Sequence, residues 1–87
     1  MSNVVMYCTM MCPYCVRARN LLREKGVDYQ EILIDREPDR RAEMIERSGG
    51  VTSVPQIFIG DTHVGGCDDM YAMEARGELD GLLGIPA

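Results

Sequence analysis

The feature that most restricts what this chain can fold into is a pair of cysteines, Cys12 and Cys15, two residues apart where a strand hands over to a helix. Upstream, "VVMY" at positions 4–7 is a short apolar run rich in β-formers and reads as a buried strand. Downstream, Pro13 suits the first position of a helix, because the N–H it lacks would go unpaired there. Cys15, Ala18, Leu21 and Leu22 recur at helical spacing, while Arg17, Asn20, Arg23 and Glu24 fall largely elsewhere; Gly26 is placed to end the helix. Both thiols then share one face of the first turn, Cys12 beside its free N–H groups and Cys15 on the apolar stripe.

The rest of the chain extends this pattern. "VDYQEILID" alternates into a second strand, with Tyr29, Ile32 and Ile34 supplying β-propensity. Residues 38–47 predict a second helix with Ala42, Met44 and Ile45 facing the core, and "SGG" stops it. "VPQIFIG" and "THVGG" read as a hairpin turning at Gly60-Asp61. After Gly65-Gly66 a last helical region carries Met70, Ala72, Met73, Leu79, Leu82 and Leu83, interrupted near Gly77. The order βαβαββα predicts an α/β fold: the strand–helix–strand unit makes a right-handed parallel crossover, and the hairpin adds antiparallel strands to the same sheet. A CxxC just after the first strand is the pattern of the thioredoxin-like fold, here a four-stranded mixed sheet flanked by helices. With 87 residues the expectation is a single domain, 1–87.

Charge and composition remove several classes of function. A net charge of −5 leaves no excess basic surface to release counterions from phosphates, so nucleic acid is not expected as a partner. No apolar run approaches the roughly 18 residues of a membrane span, and "MSNVVMYC" lacks the basic region and apolar stretch of a secretory signal. A cytoplasmic address without membrane association follows as the expectation, and with it reduced thiols rather than a disulfide scaffold. Residues 1–23 hold Arg17, Arg19 and Arg23 and no acid, whereas from Asp61 onward six acids stand against Arg76 alone. Positive surroundings at the first helix favour thiolate over thiol.

These positions assign roles. Cys12, at the helix N-terminus, is expected to have its pKa lowered and to attack a disulfide; Cys15, more buried, resolves the mixed disulfide that forms. The competing chemistry is a zinc site built from Cys8, Cys12, Cys15 and Cys67. Structural zinc ribbons generally carry two CxxC knuckles, and here there is one, with no histidine near it. No metal is expected.

Three segments, "CPYC", "SVPQIFI" and "GGCDD", resemble in order and spacing the small dithiol class of glutaredoxin, over nearly the whole chain. The resemblance implies a cis peptide between Val54 and Pro55, leaving the Val54 backbone free to pair with the cysteinyl backbone of glutathione as an added strand. It implies a glutathione site formed by Tyr14, Arg41, Ser53, Val54, Pro55, Gly66, Cys67, Asp68 and Asp69. In that site Asp68 and Asp69, at the start of the last helix, meet the γ-glutamyl end; Gly66 lets the ligand approach the backbone; Tyr14 flanks the ligand sulfur; and Arg41 takes the glycine carboxylate. Two departures stand out: Thr9 occupies a position where the family often has lysine, and Ser53 replaces the usual threonine.

The function implied is a glutathione-dependent thiol–disulfide oxidoreductase that reduces protein disulfides and glutathione mixed disulfides. It would be a monomer with no tightly bound cofactor, using glutathione as co-substrate, with glutathione reductase and NADPH upstream and ribonucleotide reductase as a possible client. Pro13 and the bulky Tyr14 count against the rival role of iron–sulfur scaffold, since cluster-binding relatives more often carry a small residue after the first cysteine. "GGCDD" counts against a carrier reduced directly by thioredoxin reductase. Cys8 is expected to be a small buried hydrophobe, and Cys67, beside the glutathione site, a thiol whose oxidation or glutathionylation could regulate binding.

Overall fold

Residues 3–86 are described by a computed structural model, so positions 1, 2 and 87 of the expected domain lie outside the described residues. Strand β1 (Val4–Cys8) leads into helix α1 (Pro13–Glu24), then strand β2 (Gln30–Leu33) and helix α2 (Asp39–Arg47). Strands β3 (Gln56–Ile59) and β4 (Thr62–Gly65) form the hairpin, and helices α3 (Cys67–Ala75) and α4 (Leu79–Leu83) complete the chain. The sheet order is β2-β1-β3-β4, with β1 parallel to β2 and antiparallel to β3, and β3 antiparallel to β4.

The two central strands are buried along their whole length, which explains why both read as continuous apolar runs instead of alternating ones. Successive side chains of β1 point to opposite faces and so feed two separate cores. Val4, Met6 and Cys8 join Cys15, Ala18, Leu21, Leu22, Met70, Leu79 and Leu83 under α1, α3 and α4. Val5 and Tyr7 join Ile32, Ile34, Met44 and Phe58 under α2. The edge strands β2 and β4 are largely exposed, as short edges are.

The apolar stripe expected on α1 is buried in full, and Gly26 follows the helix with φ of 70°. Helix α2 differs from expectation: Met44 and Ser48 face the sheet with Ile45 half-buried, but Ala42 is exposed. Two residues advance a helix by about 200°, so Ala42 and Met44 stand on nearly opposite sides, and a methyl group gains little from burial. Helix α2 also begins at Asp39, with Pro38 as the residue before it. Strand β2 is shorter than its sequence pattern, although the Ile34 N–H still donates to the Cys8 carbonyl at 3.0 Å.

Candidate functional site

Cys12 is the residue at which the chain turns into α1. Its backbone is extended (φ −78°, ψ 121°), its carbonyl accepts the first helical bond from the Val16 N–H at 3.1 Å, and Pro13 follows. No acidic side chain lies in the first turn. Cys12 makes no side-chain capping bond, so it stands at the positive end of the helix dipole with no acid of that turn to oppose it. Cys12 is half-buried, whereas Cys15 is 0% exposed. All four cysteines are free thiols.

Beside this turn runs a groove of about 250 Å³ lined by Tyr14, Ser53, Val54, Pro55, Gly66, Cys67, Asp68 and Asp69. The Val54–Pro55 peptide is cis, as the resemblance implies. Among the described residues the Val54 N–H and C=O take up no hydrogen bond, and Val54 lines the groove. On the far wall, α3 begins at Cys67, and the Asp69 carboxylate accepts the Gly66 N–H at 2.9 Å. Asp69 is thus a helix-capping residue whose second oxygen is unused by that bond. Gly65 has φ of 112°, and a side chain there would collide with Asp69. Gly66 stands with its Cα face toward the Pro55 carbonyl, so the two walls approach each other closely.

The nine residues expected to form the site are thereby brought together, with one exception. Arg41, on the exposed face of α2, reaches the Thr52 carbonyl at 3.5 Å, next to Ser53 but outside the groove lining. An exposed arginine on a helix packed against the opposite sheet face can approach only the rim.

Sequence reasoning missed two supports. Gln56, 2% exposed in the middle of an apolar strand, donates to the Ser53 carbonyl at 3.1 Å, while its own oxygen lies 2.7 Å from His63 Nε2. A glutamine inside "VPQIFI" was the available signal, since a buried amide must find partners. The second support is Cys8. It is not only a small apolar filler: its thiol donates to Glu31 at 3.4 Å and accepts from Arg19 Nη2 at 3.4 Å. Arg19 is paired with Glu31 and also donates to the Thr9 carbonyl at 3.2 Å.

These contacts divide the thiols electrostatically. The neighbouring Cys8 thiol comes first in lowering Cys15 below the ordinary thiol range, against burial, which raises it, and with help from the Thr9 backbone, Cys12 and the Arg19 charge. Cys8 moves the opposite way, above the ordinary thiol range, because it is the partner that keeps its proton beside Cys15 and is buried near Glu31. Burial likewise pushes Cys67 up. Among the described residues no three cysteine, histidine or acidic side chains gather in a way that could hold a metal ion.

A four-stranded mixed sheet with a CxxC pair at the head of its first helix, opposite a cis-proline loop, defines a thioredoxin-like thiol–disulfide oxidoreductase. Within that class the chain belongs to the glutaredoxin family, whose family model, "Glutaredoxin", matches residues 4–64. It is 58% identical over 83 residues to a glutaredoxin of Pseudomonas aeruginosa, covering 95% of this chain and 98% of that protein. The solution structure of glutaredoxin from Brucella melitensis superposes with a TM-score of 0.81 at 50% identity, over 100% of this chain and 96% of the other. The crystal structure of a buckwheat glutaredoxin–glutathione complex superposes with a TM-score of 0.87 at 32% identity, over 95% of this chain and 77% of that one.

Proposed function

We propose that this protein is a glutathione-dependent oxidoreductase that reduces protein disulfides and glutathione mixed disulfides through Cys12 and Cys15. The observation that carries the reading is the groove that runs from the CxxC turn between the unpaired Val54 backbone and the capped start of α3. Glutathione, bound by the buckwheat relative, has matching chemistry. Its cysteinyl amide can pair with Val54 as a short added strand, which sets its sulfur beside Cys12. Its γ-glutamyl carboxylate suits the first N–H groups of α3, and its ammonium suits Asp68 and the free oxygen of Asp69. Tyr14, 51% exposed, flanks the sulfur from the CxxC side, with Arg41 near the opposite end.

In reduction of a protein disulfide, the Cys12 thiolate attacks one client sulfur; the client S–S bond breaks and its second sulfur leaves as a thiolate, to be protonated by solvent. Cys15 then attacks Cys12 Sγ in the mixed disulfide, forming the Cys12–Cys15 bond and releasing the first client sulfur. Two glutathione molecules return two electrons and leave joined as glutathione disulfide. On a glutathione mixed disulfide, Cys12 takes the glutathionyl group and a second glutathione removes it, so Cys15 is not needed. No tightly bound cofactor enters this cycle, and the reading includes a cytoplasmic, monomeric enzyme with ribonucleotide reductase among its clients.

The test is steady-state turnover of a small glutathione mixed disulfide, coupled to glutathione reductase and followed by NADPH consumption. Sustained consumption that saturates with glutathione is expected. Absence of turnover by a folded, fully reduced protein would exclude the proposal.

A further inference from the structure

Thr9, Met10 and Met11 carry the chain from the end of β1 to Cys12, and neither the sheet nor the core holds them. The Cys8 carbonyl accepts the Ile34 N–H, the Cys12 carbonyl accepts the Val16 N–H, and among the described residues the three in between make no backbone–backbone hydrogen bond. Burial contributes little, since Met10 is 45% and Met11 89% exposed. What fixes the segment is one peptide unit held at both ends. The Thr9 carbonyl accepts from Arg19 Nη2 at 3.2 Å, and the Met10 N–H of the same peptide donates to Asp35 Oδ2 at 3.2 Å. A cation meets the oxygen end and an anion the hydrogen end, so both bonds are charge-assisted and both oppose rotation of the peptide plane. The two side chains are themselves anchored on different elements. Arg19, on α1, is 12% exposed and paired with Glu31 of β2, and the rigid guanidinium fork also places Nη2 3.4 Å from the Cys8 sulfur. Asp35 sits in the turn after β2, which the Arg36 and Glu37 N–H groups close on the Leu33 carbonyl at 3.1 and 2.9 Å.

We propose that Arg19 and Asp35 are positioning residues for Cys12: by clamping the Thr9–Met10 peptide from both ends, they hold the attacking sulfur in line with a disulfide lying in the groove. The inference rests on the proposed role of Cys12 as the attacking thiol. Attack on a disulfide needs alignment of three sulfurs, and misplacement by ~1 Å can cost ~100-fold in rate. If the Thr9–Met10 peptide turns, Met11 and Cys12 follow it, while the groove walls at residues 53–55 and 66–69 stay where they are. Asp35 also separates this role from an electrostatic one by sign. Removing a negative charge near Cys12 favours its thiolate, so a charge effect would speed attack, whereas loss of the clamp slows it.

The test has two parts, both on the reduced full-length chain. Amide hydrogen exchange of the Met10 N–H, read by NMR, should be ~5-fold faster in Asp35→Ala, the worth of one net hydrogen bond. It should also rise in Arg19→Met, although that side chain never touches the Met10 N–H, because one peptide plane carries both bonds. Single-turnover transfer of the glutathionyl group from a small mixed disulfide to Cys12, on a Cys15→Ser background, should fall ~5-fold in Asp35→Ala. Alkylation of Cys12 by iodoacetamide, which needs no alignment of sulfurs, should stay within ~1.5-fold. Asp35→Asn keeps an acceptor oxygen and should recover most of both losses. Asp35 is exposed, so its variants carry the test even if Arg19→Met does not fold. Met10 exchange that stays within ~1.5-fold in Asp35→Ala would overturn the inference. So would transfer that holds or quickens in that variant, or alkylation that falls as far as transfer does. If the unaltered Cys12 accepts no glutathionyl group, the proposed function falls; Met10 exchange together with the rate of Cys12 attack on a protein disulfide then decides the clamp.

Discussion

Gly65→Ala reports directly on how the groove wall is built. Gly65 has φ of 112°, outside the comfortable range of an L-residue, and a Cβ placed on it would lie 2.3 Å from Asp69 Oδ2 and 2.9 Å from Asp69 Cγ. The obstructing atoms are the end of a side chain, so the backbone stays and Asp69 must swing away. That movement breaks its 2.9 Å bond with the Gly66 N–H, the cap of α3. Left-handed backbone strain costs ~1–2 kcal/mol and a lost cap ~1 kcal/mol, together ~2–3 kcal/mol. In a domain of this size that lowers Tm by roughly 10–20 °C. Gly60→Ala is the matched control: its φ is 59° and nothing lies within 4 Å of an added Cβ. It should pay the backbone strain alone, ~1–2 kcal/mol. The second readout is the KM for glutathione in the coupled assay, which should rise for Gly65→Ala, because Asp69 has left the groove, and stay level for Gly60→Ala. Equal Tm losses with equal KM values in the two variants would refute the reasoning: Asp69 would then tolerate the crowding, or take no part in binding.

Asp69→Asn should separate capping from charge, since the amide oxygen can still accept the Gly66 N–H; Tm should hold within a few degrees while KM for glutathione rises ~3–10-fold, and an unchanged KM would remove this carboxylate from the site. Cys12→Ser should lose turnover with both mixed disulfides and protein disulfides, whereas Cys15→Ser should keep the first and lose most of the second; equal loss in Cys15→Ser would contradict the assigned order of attack. Tyr7→Phe removes a hydroxyl that donates to Glu43 and accepts from Arg47 at 2.9 Å on the face of the sheet away from the groove. It should cost ~1–3 kcal/mol in urea unfolding and leave turnover unchanged. The same variant should change the acid limb of stability. Tyr7 and then Arg40 hold the Glu43 carboxyl below its ordinary 4.5, so its contribution is present above that value and lost as pH falls through the lower folded value. Tyr7→Phe should therefore flatten that loss, as denaturant midpoints measured between pH 3 and pH 7 would show.

How much of this was legible beforehand follows from the range of each interaction. The order of elements, the buried stripe of α1 and the hairpin at Gly60-Asp61 depend on periodicity and turn chemistry within a few residues, and a linear sequence carries both. Eight of the nine expected groove residues lie in three short motifs whose spacing is read directly from the chain. The place of Arg41 at the rim, outside the groove lining, depends on which way α2 lies on the sheet, and Ala42 failed because a small side chain gives only a faint signal of the buried face.

What the sequence determined by itself was the placing of a CxxC pair at the head of a helix that follows a buried strand, because local propensity and the proline after Cys12 suffice for it. What only the tertiary structure decided was the company those thiols keep. Cys8 meets Glu31 because β1 and β2 run parallel in a register that sets Met6 opposite Glu31 and Cys8 opposite Leu33, and Arg19 closes over both from the helix between them. Gln56 holds the Ser53 carbonyl because β4 brings His63 to its other side. Hydrogen bonds between residues far apart in the chain exist only after the sheet has chosen its register, and such choices are made by burial of whole faces, not by any one residue's preference.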